Sequence, residues 1–324
     1  MTSVRDVVLA LDEPTPVWSL RESLQSGMWP PPPSPRGTVS LRALMDRLSE
    51  AGQSLRKLAS GTTSVWPHID RATLVAQLRD RLRDPGVIVQ NPTGLCGPIA
   101  ILFELARRRP AEYVRAATEL FETGQLTVGD VIIRAEEELR NEPMPAAPIV
   151  EADWLFAATM RDDANLVDDV DGTANGFETI TLWIAMARWT RSLLGLRSHW
   201  EKCFEGGELD AIRKAQEAVD AGGVAFLLIH KHLIDDAASE EQVPLGWRRA
   251  RHQRRTPVGT PSERRHCRKS SAPPDHWVAL LGDLQLSSDD GPIALHLWSW
   301  GKEYWVDGSA RWFTEYLYAI VTGT

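Results

Sequence analysis

Cysteine is scarce in this chain of 324 residues, which contains only Cys96, Cys203 and Cys267. Three cysteines cannot form the disulfide framework of a small secreted domain, and no two of them are spaced like ligands of a structural metal. An odd number of cysteines fits a reducing compartment, or a protein that keeps one thiol free for chemistry. We therefore expect neither a disulfide framework nor a metal or other cofactor.

Long apolar runs and a net positive charge are also missing. No stretch approaches the roughly 18 consecutive apolar residues of a membrane span, so we expect no membrane-spanning segment. The opening MTSVRDVVLALDEPTP lacks the apolar core of a signal peptide. We therefore expect a protein that is cytoplasmic as synthesised, with any secretion by a system that ignores signal peptides. The formal net charge of -8 argues against general affinity for nucleic acid.

Proline and hydrophobic periodicity divide the chain. Prolines at positions 30–33 and 35 break residues 1–39, which we interpret as an N-terminal arm. From about 40 to 222 the apolar spacing is helical. The predicted helices start near Leu41 and Leu74, run from Pro110 to a stop at Gly124, and then cover 127–141, 151–160, 176–194 and 209–223.

The character changes after residue 223. Apolar, β-prone runs cover 224–234, 276–286, 293–301, 303–308 and 315–323, and SSDDGP at 287–292 is typical of a hairpin turn. Five of the 13 tryptophans lie at or after position 277, which favours a packed sheet or, less commonly, a substrate groove. The order predicts an α+β fold, with helices first and an antiparallel sheet afterwards.

A basic segment at 248–269 interrupts the β-rich part, with nine Lys or Arg and a single acidic residue, Glu263. The simplest interpretation is a solvated loop, and the alternative is a contact for an acidic partner. Without interleaved aromatic residues, specific nucleic-acid binding is not predicted. A zinc site built from His252, His266, Cys267 and His276 is disfavoured because the spacing matches no common zinc pattern.

The strongest chemical signal is IVQNPTGLCGPIAILFELARRR at 88–109. A turn ends at Gly94, and Pro98 suits the first turn of an apolar helix that begins at Cys96. Unpaired N–H groups and the helix dipole stabilise a thiolate at that position, so we expect a lowered pKa and a nucleophilic sulfur. A buried, inert structural thiol is the alternative.

Two further side chains complete this hypothesis. Gln90 lies six residues before the cysteine, where its amide could donate to an oxyanion alongside the Cys96 backbone N–H. His276 opens a predicted strand and is the strongest candidate for a base among eight histidines. An edge-of-sheet histidine without chemical function is the alternative for His276.

The pair of segments GLCGPIAILFEL and DHWVALLG…LHLWSWGKEYWV resembles the papain-like cysteine peptidase superfamily. It is also similar to papain-fold bacterial toxins and effectors associated with type VI secretion. The resemblance implies a papain-like catalytic domain over 40–324, with helical insertions at about 110–222. It further implies that the nucleophile helix packs on the C-terminal antiparallel sheet.

By this resemblance Cys96 is the nucleophile, His276 the base and later acid, and Gln90 the oxyanion donor. The sequence departs from the family at the third position, where Trp298 stands in place of the usual Asn before Ser-Trp-Gly. Pairing the two strands about the 287–292 turn brings 299–303 opposite His276. Ser299 is then our first candidate to hold the imidazole, Glu303 the second, and His296 a third.

The resemblance implies acyl transfer from a protein or peptide, by hydrolysis, deamidation or transglutamination. It also implies a secreted bacterial toxin with an immunity or secretion partner. Two alternatives stay open. One is a peptidoglycan amidase that uses the same cysteine and histidine, and the other is a non-catalytic interaction protein in which Cys96 is inert.

Overall fold

The structure is a computed structural model that describes residues 41–89, 94–129, 131–145, 149–167, 181–203, 206–235 and 273–324. The predicted arm at 1–39, Gln90 and the basic segment at 248–269 lie outside these residues. The described residues belong to two compact units. The first contains 41–89, 102–129, 131–145 and 149–167, and the second contains 94–101, 181–203, 206–235 and 273–324.

Helices dominate the first unit. They are α1 (Leu41–Ser60), α2 (Arg71–Arg83), the greater part of α3 (Cys96–Arg108), α4 (Pro110–Thr123), α5 (Glu137–Asn141) and α6 (Glu151–Val167). The predicted helix from Pro110 is confirmed, and it ends at Gly124 with φ 74°, the left-handed conformation that glycine adopts most easily.

The helix predicted over 127–141 is wrong. Gln125–Val128 and Val131–Arg134 are instead the antiparallel strands β1 and β2, and only Glu137–Asn141 is helical. Gly129 lies between the strands with φ 57°. The β-branched run at 131–133 fits the pleated surface of a strand better than a helix, and this preference outweighed the helical spacing.

A six-stranded antiparallel sheet forms the centre of the second unit, in the order β3-β8-β4-β5-β6-β7. Its strands are β3 (Ser198–Lys202), β4 (Val224–Ile229), β5 (His276–Leu286), β6 (Pro292–Ser299), β7 (Lys302–Ser309) and β8 (Leu317–Gly323). Its helices are α7 (Trp183–Ser192), α8 (Glu208–Asp220), α9 (His232–Asp235) and α10 (Ala310–Thr314). The α+β prediction is therefore confirmed.

The hairpin predicted at 287–292 is confirmed, because β5 ends at Leu286 and β6 begins at Pro292. Other strand boundaries differ from the prediction. The run at 224–234 leaves the sheet after Ile229 and ends in α9, and the last strand begins at Leu317 because α10 precedes it. Strand β3 lies within a part of the sequence that was predicted to be helical.

The centre of the sheet is buried, whereas the edge strand β3 is partly exposed. Helix α8 packs against β4, β5 and β8, while α7 packs against β3 and β8. All six residues of β4 are buried, as expected for a strand covered on two sides. The described helices include none that is long and apolar enough to cross a membrane.

Candidate functional site

Cys96 is the first residue of α3, as predicted, and its side chain is buried with 2% exposure. The next residue, Gly97, allows a close approach to Thr181. A β-carbon added at Gly97 would lie 2.7 Å from the Thr181 β-carbon, closer than real side chains come. The start of the helix is thus fixed against residue 181 by a position that only glycine fits.

Trp277, on strand β5, also contacts Thr181. Its indole Nε1 donates to the backbone oxygen of Thr181 over 2.7 Å, and both residues are buried. The backbone N–H of Trp277 interacts with the Cys96 sulfur, so the thiol lies beside the residue that follows His276. The two segments named by sequence analysis, one at 96 and one at 276, therefore meet within the second unit.

The ionisation of Cys96 differs from the prediction. Burial raises the pKa of the Cys96 thiol to about 11, although the backbone N–H groups of Trp277, Gly97 and Cys96 act to lower it. The N–H groups of a helix start favour the thiolate as expected. Loss of hydration opposes the thiolate more strongly, so the predicted lowered pKa is wrong for the resting site.

His276 is buried with 3% exposure, and its Nε2 lies 2.6 Å from the Ser299 hydroxyl oxygen. Ser299 is itself 2% exposed. Strand β6 ends at Ser299, which pairs with Lys302 across a two-residue turn. The side chain that was the first candidate from sequence thus contacts the imidazole directly.

The turn between β6 and β7 also places an aromatic ring on the imidazole. Trp300 and Gly301 both have positive φ angles, 46° and 70°, as a two-residue turn of type I′ requires. Positive φ is rare for a bulky residue. The Trp300 ring stacks on the His276 ring, with 4.5 Å between centroids and 25° between planes.

The imidazole, like the thiol, rests uncharged. Burial lowers the pKa of His276 to about 3, and the positive charge of Lys231 adds to this effect. An uncharged thiol differs from the thiolate that the sequence led us to expect.

The other two candidates for the third position lie together elsewhere on the sheet. Glu303 pairs with His296, whose Nε2 lies 2.8 Å from the Glu303 carboxylate. His296 also stacks on Trp305 with ring centroids 4.0 Å apart. His296 and Glu303 therefore form a separate pair.

Sequence reasoning missed a group of charged and polar residues formed by His230 and Lys231 after β4 and Asp275 before β5. Asp275 accepts the backbone N–H of Lys231 over 2.7 Å, and its other oxygen lies 4.0 Å from both the Lys231 ammonium and Nε2 of His230. The only signal was that Asp275 precedes His276, because Lys231 is 44 residues away along the chain.

The described residues include no cluster of three or more His, Cys, Asp or Glu side chains that could hold a metal ion. The chain matches no protein-family model. No curated protein and no solved structure matches it either.

Proposed function

We propose that this chain is a cysteine-nucleophile enzyme of acyl transfer with the arrangement of papain-like peptidases. One observation supports this more than any other. A thiol at the start of a buried helix contacts the backbone of Trp277, directly after an imidazole that a buried hydroxyl holds. A nucleophile, a base and a group that orients the base are the three parts that such chemistry needs.

The tautomer of His276 follows from this arrangement. If Nε2 carries the proton and donates it to the Ser299 oxygen, Nδ1 is the basic nitrogen. Nδ1 then removes the proton from the Cys96 thiol as the sulfur attacks the carbonyl carbon. Because both groups rest uncharged, proton transfer accompanies the attack, whereas in a preformed ion pair it would precede it.

The remaining steps are those of acyl transfer in general. The backbone N–H groups around Cys96 stabilise the oxyanion, and Gln90 is the proposed side-chain donor. His276 returns the proton to the leaving amine, and an acyl-enzyme remains on the sulfur. Water as acceptor gives hydrolysis or deamidation, and an amine gives transglutamination. The proposed substrate is a protein or peptide, and the proposed setting is a secreted bacterial effector.

Expression in bacteria tests this proposal. Wild type, Cys96→Ala and the matched control Cys203→Ala are each directed to the cytosol and to the periplasm. Cys203 suits the control because it is also a buried cysteine of the second unit. We expect growth arrest by wild type and Cys203→Ala in one compartment, with normal growth for Cys96→Ala. Arrest by Cys96→Ala equal to wild type would refute the proposal.

The full burial of Cys96 favours a second candidate, the non-catalytic interaction protein. A thiol with 2% exposure and a raised pKa is also what an inert core cysteine shows. Labelling with a peptidyl epoxide separates the two proposals, because an enzyme directs the electrophile to its nucleophile. Adduct on Cys96 of the folded protein supports the enzyme, whereas labelling only after unfolding supports the inert thiol. The amidase alternative predicts arrest in the periplasm alone.

A further inference from the structure

The charged residues Asp275, which directly precedes His276, and Lys231 lie on two segments that hydrogen bonds join. The backbone N–H of Asp275 donates to the oxygen of Ile229 over 3.1 Å, and the Asp275 carboxylate accepts the N–H of Lys231. These bonds connect the end of β4 to the start of β5, where His276 begins the strand. The position of the Asp275 carboxylate is therefore fixed relative to the proposed site.

Among the described residues, Lys231 is a cationic neighbour of this carboxylate on a flexible stem. The Lys231 ammonium lies 4.0 Å from Asp275, and the Lys231 side chain is 51% exposed while that of Asp275 is 33% exposed. An exposed pair at this distance is held weakly, because solvent screens the charges and the long side chain loses entropy when it is fixed. A competing cation can therefore replace the ammonium without breaking the backbone bonds of Asp275.

Asp275 stands two residues before Trp277, whose backbone N–H interacts with the Cys96 sulfur, so its charge acts on the thiol. After the larger effect of burial, the Asp275 carboxylate raises the pKa of Cys96 further. Lys231 likewise disfavours the charged form of His276, because its positive charge adds to burial in lowering the pKa of the imidazole. Both charges thus disfavour the thiolate and the imidazolium that form during proton transfer.

We propose that Asp275 is a specificity-determining residue of the cysteine site, which favours acyl donors that place a cationic group beside its carboxylate. Lys231 occupies this position in the resting protein. A substrate cation that displaces this weakly held ammonium and pairs more closely with Asp275 offsets more of the carboxylate charge, which adds to burial in opposing the thiolate. The preference for a cationic substrate rests on the proposed function. The effect of the Asp275 charge on Cys96 does not, and it can be tested by itself.

The claim can be tested with two thiol reagents of fixed, opposite charge, the trimethylammonioethyl and sulfonatoethyl methanethiosulfonates. In both reactions the Cys96 thiolate attacks the sulfenyl sulfur, a disulfide forms, and methanesulfinate leaves. The thiolate fraction and the opening of the protein affect both rates equally. The ratio of the cationic to the anionic rate on Cys96, followed by mass spectrometry, therefore reports the local charge.

The two members of the ion pair should change this ratio in opposite directions. Asp275→Asn keeps an oxygen for the Lys231 N–H but removes the charge, so the ratio falls about threefold or more. Lys231→Met leaves the carboxylate without its counter-charge, so the ratio rises by a similar factor. Charge pairs near a surface are worth up to about 1 kcal/mol, which corresponds to a factor of up to about five and so includes a threefold change. Native-state folding of each variant is checked by urea unfolding.

A second ion pair in the same unit provides the control. Lys214 and Glu201 lie 3.1 Å apart with side-chain exposures of 59% and 31%, close to those of the proposed pair. Lys214→Met and Glu201→Gln are expected to leave the ratio unchanged. The inference is overturned if Asp275→Asn leaves the ratio as in wild type, or if the control variants change it equally.

Failure of the inference and failure of the proposed function have different signatures. An unchanged ratio in Asp275→Asn, with growth arrest that depends on Cys96, would leave an enzyme without this specificity element. A ratio that changes as expected, with no arrest that depends on Cys96, would leave a charged site without the proposed reaction.

Discussion

The contact between Ser299 and His276 leads to the most direct prediction. Ser299→Ala removes a hydroxyl that lies 2.6 Å from Nε2 of His276, and both side chains are at least 97% buried. A buried polar group that loses its hydrogen-bond partner costs about 1–3 kcal/mol. We expect the free energy of unfolding to fall by this amount.

The same substitution also loosens the proposed base. If the loosened imidazole stabilises the transition state by about 1.4–2.7 kcal/mol less, the rate falls tenfold to a hundredfold. Labelling of Cys96 by a peptidyl epoxide should slow accordingly, and growth arrest should weaken without disappearing. Cys96→Ala, in contrast, should abolish both.

Urea unfolding and the labelling rate are measured on the same preparations. Thr314→Ala serves as the control, because its hydroxyl donates to the backbone oxygen of Arg311 at an exposed site. We expect a change below about 0.5 kcal/mol there. If Ser299→Ala unfolds like the control and labels like wild type, the hydroxyl does not orient the imidazole and our reasoning is refuted.

Two further predictions concern stability. Asp153 is fully buried and accepts two bonds of 2.7 Å from Arg81, so Asp153→Asn should cost about 3–5 kcal/mol in urea unfolding, whereas Asp80→Asn at an exposed pair should cost little. A destabilisation as small as that of the control would contradict this. Pairing with Asp283 and Glu303 raises the pKa of His296, although burial opposes this change. The stabilisation of the folded state by protonated His296 should therefore be complete below pH 6.5 and decline as the pH rises through the raised pKa. Glu303→Gln should flatten this decline, and an unchanged pH profile of unfolding would count against it.

Local chemistry explains what could be predicted from the sequence. Pro110 begins a helix because proline has no backbone N–H that would be left unpaired in the first turn. Gly124 ends it because glycine adopts positive φ without strain. The apolar, β-prone run after His276 and the polar SSDDGP segment likewise predicted β5 and its hairpin. The pairing of β5 with β6 shifts register between Leu280 and Gly282 and again between Gly282 and Gln285, and this was not predicted. The hairpin at 125–134 was missed because its β-branched residues also fit a helical spacing.

The charge state of Cys96 and His276 is decided by tertiary structure. The helix start at Cys96 predicts a stabilised thiolate, and its N–H groups do act in that direction. Burial comes from residues far apart in the chain, and the hydration it removes outweighs those few dipoles. The meeting of Asp275 with Lys231, and the stacking of Trp300 on His276, are decided in the same way. Sequence therefore determined which side chains are available for chemistry, and packing across the chain decided their charge, because desolvation sums over neighbours that no local pattern specifies.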